Sequence, residues 1–188
     1  MRPMRRAASL TLAAIALALP GACKRSSRAR VATFSPPPLA AGFVEQNGTG
    51  WRVAIPSTWK ELAQKDAAAW AVADPQTVDD FHANLNVVTE HSAVESYEYA
   101  EANENALRRD PRATVEAARE EVVDGDPTLI LETRWAPNPP ATVPYHTMQT
   151  ALASRGTGYV VTCSASSSGF ERYRSTCEAI VRSFAVER

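Results

Sequence analysis

Alternation between hydrophobic and polar positions dominates the chain after residue 42 and predicts a series of β-strands. Turn signals separate several of these segments, namely "NGTG", "DGDP" and "RGTG". Asn47-Gly48 suits a tight hairpin turn. The predicted strands are residues 42–46, 51–55, 68–75, 83–91, 113–123, 128–135, 143–154 and 158–165.

In two places the hydrophobic period changes to three and four residues, which predicts two helices. The first follows residues 92–95, a capping-box pattern, and stops before Asp110-Pro111. The second follows residues 168–171, a similar pattern, and carries one apolar stripe. The stripe consists of Phe170, Tyr173, Cys177, Ile180, Val181 and Phe184. Most strand connections read as hairpins, so we predict an α/β fold of the α+β type, a mainly antiparallel sheet with both helices packed on it.

The first 22 residues have the pattern of a signal peptide. Positive residues precede an apolar run, residues 7–19, that is shorter than the roughly 20 residues of a transmembrane helix. The run is followed by Gly21-Ala22-Cys23, which resembles the lipobox of bacterial lipoproteins, with Pro20 where leucine is usual. We therefore expect cleavage before Cys23 and acyl chains on that residue. The alternative is ordinary cleavage and a secreted product.

Residues 24–42 are predicted to be a linker, because they contain Pro36, Pro37 and Pro38 and show no hydrophobic period. They carry a net charge of +4, which either draws the linker to anionic lipid head groups or keeps it soluble. Residues 43–188 form the predicted domain and have 13 basic against 21 acidic residues, a net charge of −8. This acidic balance argues against a nucleic-acid partner.

The chain has three cysteines, an odd number that would leave an unpaired thiol in an exported protein. If Cys23 carries lipid, Cys163 and Cys177 remain. In an oxidising envelope we expect them to form a disulfide that joins the last strand to the last helix. The alternative is two reduced, buried cysteines.

One polar segment offers candidate ligands for a divalent cation or a small molecule. In "DPQTVDDFH", Asp79, Asp80 and His82 follow Asp74. Carboxylates and imidazole are ligands for divalent metals, but the spacing fits no zinc motif. A polar loop facing water explains the segment equally well.

No catalytic or cofactor-binding motif stands out elsewhere. If "RGTG" closes a hairpin, Cys163 faces Thr150, and His146 lies four residues along the strand, roughly 13 Å away. This spacing argues against a cysteine–histidine catalyst. The serines at 164 and 166–168 lack the G-x-S-x-G pattern of a nucleophile. We therefore predict no enzyme activity and no cofactor.

The four tryptophans have two interpretations, a ligand slot or core packing. Trp51, Trp70 and Trp135 each fall on the apolar side of a predicted strand, which favours the core. Trp59 follows Pro56 in a predicted loop, and its role stays open.

Two stretches resemble PsbP-like domains. "GWRVAIPSTWKE" is similar to the opening of that family, and "GYVVTCSASSSGFERYRSTCEAIVRSF" is similar to its last strand and helix. The fold group includes the extrinsic photosystem II subunit, a Ran-GTPase-binding import factor and many bacterial envelope lipoproteins. The resemblance implies a domain that binds or assists other proteins and is not an enzyme.

These observations lead to two functional predictions. The first is a membrane-anchored envelope lipoprotein, facing the periplasm or the exterior, with a non-enzymatic domain that binds an unidentified envelope protein or helps its assembly. The alternative is an envelope lipoprotein that binds a small ligand or a metal through residues 74–82 or a pocket beside Trp59.

Overall fold

The computed structural model describes residues 41–63, 68–137 and 143–188. The predicted signal peptide, Cys23 and nearly all of the linker lie outside these residues. Among the described residues, no helix has the length and apolar character needed to cross a membrane. The elements are β1 (Phe43–Gly48), β2 (Trp51–Pro56), β3 (Lys60–Glu61), β4 (Ala68–Val78), β5 (Phe81–His91), α1 (Ser96–Arg109), β6 (Ala113–Val123), β7 (Asp126–Trp135), β8 (Tyr145–Ser154), β9 (Thr157–Ser166), α2 (Phe170–Ser183) and β10 (Ala185–Val186).

These strands form two antiparallel sheets. The large sheet has seven strands in the order β3-β4-β5-β9-β8-β7-β6, and the small sheet has the order β1-β2-β10. The predicted α+β class and the antiparallel pairing are therefore confirmed. β3 and β10 were not predicted, because a strand of two residues carries no measurable hydrophobic period.

The two helices cover opposite faces of the large sheet. Ile130 belongs to the core cluster that contains the α2 stripe, whereas its neighbours Leu129 and Leu131 belong to a second cluster with Tyr99 and Leu107 of α1. Adjacent residues of a strand point to opposite faces, so this division places α1 on one face and α2 on the other. The small sheet packs on the α2 side, where β2 contacts that helix.

Two hairpin turns lie within the predicted signals "DGDP" and "RGTG", and two others differ from the prediction. Asp79-Asp80, Asp124-Gly125 and Arg155-Gly156 each have two positive φ angles, as a type I′ turn requires. The segment predicted as a polar loop around Asp79 is therefore the end of β4, a two-residue turn and the start of β5. The first hairpin turns at residues 49–50, because Gly48 still pairs with Trp51.

Both predicted capping boxes are wrong. α1 has Glu95 as its N-cap and α2 has Gly169, and neither helix has a side-chain cap. The backbone N–H of Ser92 donates to the Gly156 carbonyl, so this serine belongs to the connection after β5. The Ser168 hydroxyl donates to the Asp79 carboxylate, and Gly169, not Ser168, is the N-cap of α2. The predicted end of α1 at Asp110 is correct.

The register of the last hairpin also differs from the prediction. Cys163 pairs with Met148 and not with Thr150, and His146 pairs with Ala165. The prediction treated all four residues of "RGTG" as the loop. The turn uses two of them, because Thr157 already pairs with Ser154.

Candidate functional site

A cleft of about 470 Å³ opens between the β1–β2 turn and the neighbouring ends of β5 and β9. Its lining comes from both sheets and carries no charged side chain. The lining residues are Gly48, Thr49, Trp51, Trp70, Thr89, Thr157 and Tyr159. The volume lies within the range of about 300–1,000 Å³ that is usual for ligand pockets.

Two glycines of the first hairpin make room for the aromatic walls. A Cβ atom on Gly48 would lie 2.1 Å from the Trp51 ring, and one on Gly50 would lie 2.5 Å from the Tyr159 hydroxyl oxygen. Gly50 also has a φ of 79°, which disfavours other residues. Any side chain at either position would therefore displace one of these rings.

The large sheet supplies the other wall. Thr89 pairs with Tyr159 across β5 and β9, and both lie on the face that carries the buried Val87 and Val161 further along the strands. At this end of the sheet, hydroxyl-bearing residues follow the aliphatic core residues. The hydrophobic core therefore ends in a wall with both aromatic and hydroxyl groups.

The aromatic rings of the cleft are continuous with the core. Trp51 and Trp70 have ring centroids 5.2 Å apart with an angle of 49° between their planes. Trp51 and Tyr159 also contact Phe184, at 6.3 and 6.4 Å. Trp51 is 4% exposed and Tyr159 is 7% exposed, so packing holds both rings in place.

Several polar atoms of the cleft have no partner within the described part of the chain. The Trp51 indole nitrogen and the Tyr159 hydroxyl make no side-chain hydrogen bond there, and neither is a fully buried atom. The hydroxyls of Thr49, Thr89 and Thr157 are also unpaired within that part. The cleft thus offers apolar surface and open hydrogen-bonding groups, and its lining has no carboxylate, imidazole, amine or thiol side chain.

The structure places the predicted metal or ligand residues at the β4–β5 hairpin. His82 Nδ1 lies 2.8 Å from the Asp74 backbone oxygen, and the Asp74 carboxylate accepts a 3.0 Å hydrogen bond from the Tyr173 hydroxyl. The Asp79 carboxylate accepts a hydrogen bond from the Ser168 hydroxyl, and Asp80 is the second residue of the turn between β4 and β5. The described residues include no group of three or more histidine, cysteine or acidic residues that could hold a metal ion.

A smaller cavity of about 170 Å³ does lie beside Asp74 and His82. Its wall is mostly apolar and includes Leu62 and Pro75, with Lys60 at one side. Of the acidic residues and the histidine in this segment, Asp74 and His82 line the cavity, and Asp79 and Asp80 do not. The metal or ligand role of Asp79, Asp80 and His82 stays a prediction.

The candidate cysteine–histidine pair has no free thiol in the structure. Cys163 is bonded to Cys177, their Cα atoms are 5.4 Å apart, and both residues are fully buried. His146 stacks on Phe170 with ring centroids 5.0 Å apart, and its Nε2 lies 3.1 Å from Glu116. Structural contacts therefore account for the His146 imidazole. The predicted separation of four residues is wrong, because His146 lies two residues along β8 from Met148, the partner of Cys163.

The tryptophans divide into two groups. Trp51 is in the core, and Trp70 packs against it, as predicted, yet both also line the cleft. Trp59 is a core residue with 6% exposure and does not line the cleft. Trp135 is partly buried in the α1 cluster and stacks on Tyr145 at 5.9 Å. The sequence signal for the cleft was the glycine on each side of Thr49, next to a tryptophan.

A polar cavity of about 390 Å³ lies at the start of α1. Its charged residues are Glu95, Asp126, Arg155 and Arg188. The Ser96 hydroxyl donates to Asp126, and Arg188 lies 3.4 Å from the same carboxylate. Acidic groups of the chain therefore already occupy the helix N-terminus, where an anion would otherwise bind.

No protein-family model matches the sequence, and no curated protein sequence matches it significantly. Solved structures do share its fold. Cyanobacterial PsbP (CyanoP) from Synechocystis sp. PCC 6803 is 17% identical with a TM-score of 0.54, and the match covers 86% of this chain and 98% of that one.

Two further structures come from other organisms. LpqN of Mycobacterium tuberculosis, described as involved in cell envelope biogenesis, is 12% identical with a TM-score of 0.59, covering 78% of this chain and 90% of LpqN. The Ran-binding protein Mog1p of Saccharomyces cerevisiae is also 12% identical, with a TM-score of 0.51, covering 77% of this chain and 94% of Mog1p. At these identities the comparison shows the fold alone. The chain has a PsbP-like fold, as the sequence resemblance predicted.

Proposed function

We propose that this chain is a lipid-anchored protein of the bacterial cell envelope whose domain binds another envelope protein and assists it without catalysing a reaction. The observation that carries the proposal is the cleft beside Trp51 and Trp70. Its walls are aromatic, its polar atoms are open, and its lining is uncharged. Such a surface recognises a partner, because aromatic residues contribute most strongly to binding at protein interfaces.

The similar structures support a binding role in general terms. One of them is described as a Ran-binding protein and another as involved in cell envelope biogenesis. Those descriptions belong to those proteins, and a shared fold does not transfer a partner. The two descriptions are nevertheless compatible with an accessory role in the envelope for a domain of this fold.

The anchor rests on the sequence of the first 42 residues. Each CH₂ group of an acyl chain on Cys23 adds about 0.8 kcal/mol of membrane affinity, so several chains would hold the protein firmly. Residues 24–42 would connect the anchor to β1, and an extended proline-rich segment of this length spans up to roughly 60 Å.

A second function is favoured by the cavity beside Asp74 and His82. Its volume of about 170 Å³ admits only a small ligand. In this alternative, the protein binds a small molecule or a metal ion at the β4–β5 hairpin. Binding that is lost with His82→Ala would support it.

Site-specific crosslinking in the native cells tests the binding role. A photoreactive residue at Thr89, on the exposed rim of the cleft, is expected to capture one defined protein. The matched control is Asn105, an exposed residue of α1 on the other side of the large sheet. No adduct at Thr89, or the same adducts from both positions, would overturn the proposal.

Fractionation tests the anchor separately. Cys23→Ser is expected to move the protein from the membrane to the soluble fraction, because the variant has no thiol for lipid attachment. If this variant fractionates with membranes as the parent does, lipidation at Cys23 is the wrong explanation.

A further inference from the structure

We infer that the cleft binds an extended, proline-containing segment of the partner protein. The inference rests on the proposed binding function and adds the chemistry of the bound segment.

The hydrogen-bonding groups of the cleft favour a ligand that presents acceptors. The Trp51 indole N–H is a donor only, and the hydroxyls of Tyr159, Thr89 and Thr157 are also able to donate. No carboxylate, amide or imidazole side chain lines the cleft. The Trp51 N–H needs an acceptor and each hydroxyl is able to donate, so a ligand that presents acceptors alone can pair with every one of these groups. A proline-rich backbone has this property, because each proline keeps its carbonyl and lacks the N–H.

The aromatic wall of the cleft suits a proline ring. The Trp51 and Trp70 rings are tilted by 49° at a centroid distance of 5.2 Å, so they form a wedge with apolar sides. A pyrrolidine ring is compact, apolar and rigid. A polyproline II segment also loses little conformational entropy on binding, and grooves lined with aromatic residues recognise such segments in several domain families.

The charge of the lining favours a neutral ligand. The domain as a whole is strongly acidic, yet no lining residue of the cleft is charged. A charged ligand would find no counter-ion there and would lose hydration. A glycan has a matching neutral ring, but its hydroxyls donate as often as they accept. The hydroxyl donors of a glycan would find only the cleft hydroxyls as acceptors, so the lining suits a glycan less well than a proline-containing segment.

The proline tract of this chain itself is too close to β1 to be the occupant. Pro38 lies four residues before Gly42, a reach of about 13 Å, and β1 then separates Gly42 from the cleft by six residues, about 20 Å. The tract would have to return along all of β1 to bring even Pro36 to the cleft. Pro37 and Pro38 fall short of that distance, so a segment with two or more prolines at the cleft has to come from another protein chain.

Nuclear magnetic resonance of the tryptophan indole groups tests this directly. The chain from residue 23 onward, carrying Cys23→Ser, is labelled with ¹⁵N and titrated with octaproline. We expect the indole N–H signals of Trp51 and Trp70 to shift and saturate below millimolar peptide, while those of Trp59 and Trp135 stay in place. A glycine–serine octapeptide and a tetramer of N-acetylglucosamine serve as the comparison ligands.

Single substitutions then connect the binding to the cleft. Tyr159→Phe removes one hydroxyl and is expected to weaken octaproline binding about threefold to tenfold. Trp70→Ala removes one wall and is expected to weaken it more than tenfold. Trp135→Phe is the matched control and should leave the affinity unchanged. Thermal melting of each variant separates lost binding from lost folding.

Three results would overturn the inference: no indole shift with octaproline, equal shifts with either comparison ligand, or unchanged affinity in a folded Tyr159→Phe variant. The failure of this inference and that of the proposed function remain distinguishable. If crosslinking at Thr89 captures a partner while octaproline does not bind, the cleft binds a different kind of segment. If neither occurs, the binding role itself fails.

Discussion

Cys163 in β9 and Cys177 in α2 join the large sheet to the helix that covers it, with their Cα atoms 5.4 Å apart. Both lie in the core cluster with Ile180 and Phe184. The bond thus connects two elements at the point where the largest apolar stripe is buried.

Removing this bond should destabilise the domain. The double variant Cys163→Ala/Cys177→Ala is expected to lose about 2–5 kcal/mol of the free energy of unfolding, because the unfolded chain gains conformational freedom. Urea unfolding of the parent protein with and without reductant should show the same loss. The double variant should not respond to reductant. Two free thiols in the denatured, unreduced parent protein would contradict the expected bond.

The pair between Glu132 and Arg174 offers a second prediction. The Glu132 side chain is 10% exposed, and one of its carboxylate oxygens accepts a 2.6 Å hydrogen bond from Arg174. Arg174→Met should cost about 1–3 kcal/mol, because it leaves a mostly buried carboxylate without its partner. Adding Glu132→Gln should recover part of that loss, since the buried charge is then gone. A double-mutant cycle by urea unfolding measures both effects, and additive losses would argue against the pairing.

Stability at alkaline pH should depend on Tyr99. Burial and the 2.7 Å hydrogen bond from its hydroxyl to Glu90 raise the Tyr99 pKa above its usual value of 10.0. The contribution is fully present below pH 10 and declines as the pH rises above it, because the unfolded tyrosine ionises first. Tyr99→Phe should therefore be less stable than the parent at pH 8, and the difference should shrink towards pH 11. Urea midpoints at several pH values check this, and parallel curves would contradict it.

Metal binding at the β4–β5 hairpin should be weak. Asp74 and Asp79 already accept hydrogen bonds from Tyr173 and Ser168, which compete with a cation. Titration calorimetry with calcium, manganese and zinc should show no binding tighter than about micromolar, roughly 8 kcal/mol. A tighter site that disappears in His82→Ala would favour the second function over the first.

Much of the fold could be predicted from local patterns. The turns at Asp124-Gly125 and Arg155-Gly156, the apolar stripe of α2 and the end of α1 at Asp110 all depend on residues close together in the chain. Short-range geometry decides such features, so the sequence carries them directly. The antiparallel class followed from the same hairpins.

The helix starts and the last register were not predictable in this way. Ser168 has the right spacing for a helix cap. Its hydroxyl instead donates a hydrogen bond to the carboxylate of Asp79, which is distant in sequence. Cys163 faces Met148 because the turn uses two residues of a four-residue signal. In each case, local chemistry allowed two outcomes, and contacts between distant elements selected one.

The candidate site shows the same division between sequence and tertiary structure. The sequence alone determined that Trp51 and Trp70 lie on the apolar side of their strands, and that a glycine stands on each side of Thr49. Tertiary structure alone decided that these tryptophans meet Thr89 and Tyr159 around an open cleft. The physical reason is that the packing of the small sheet on the large one decides which core residues stay accessible, and strand periodicity contains no information about how sheets pack.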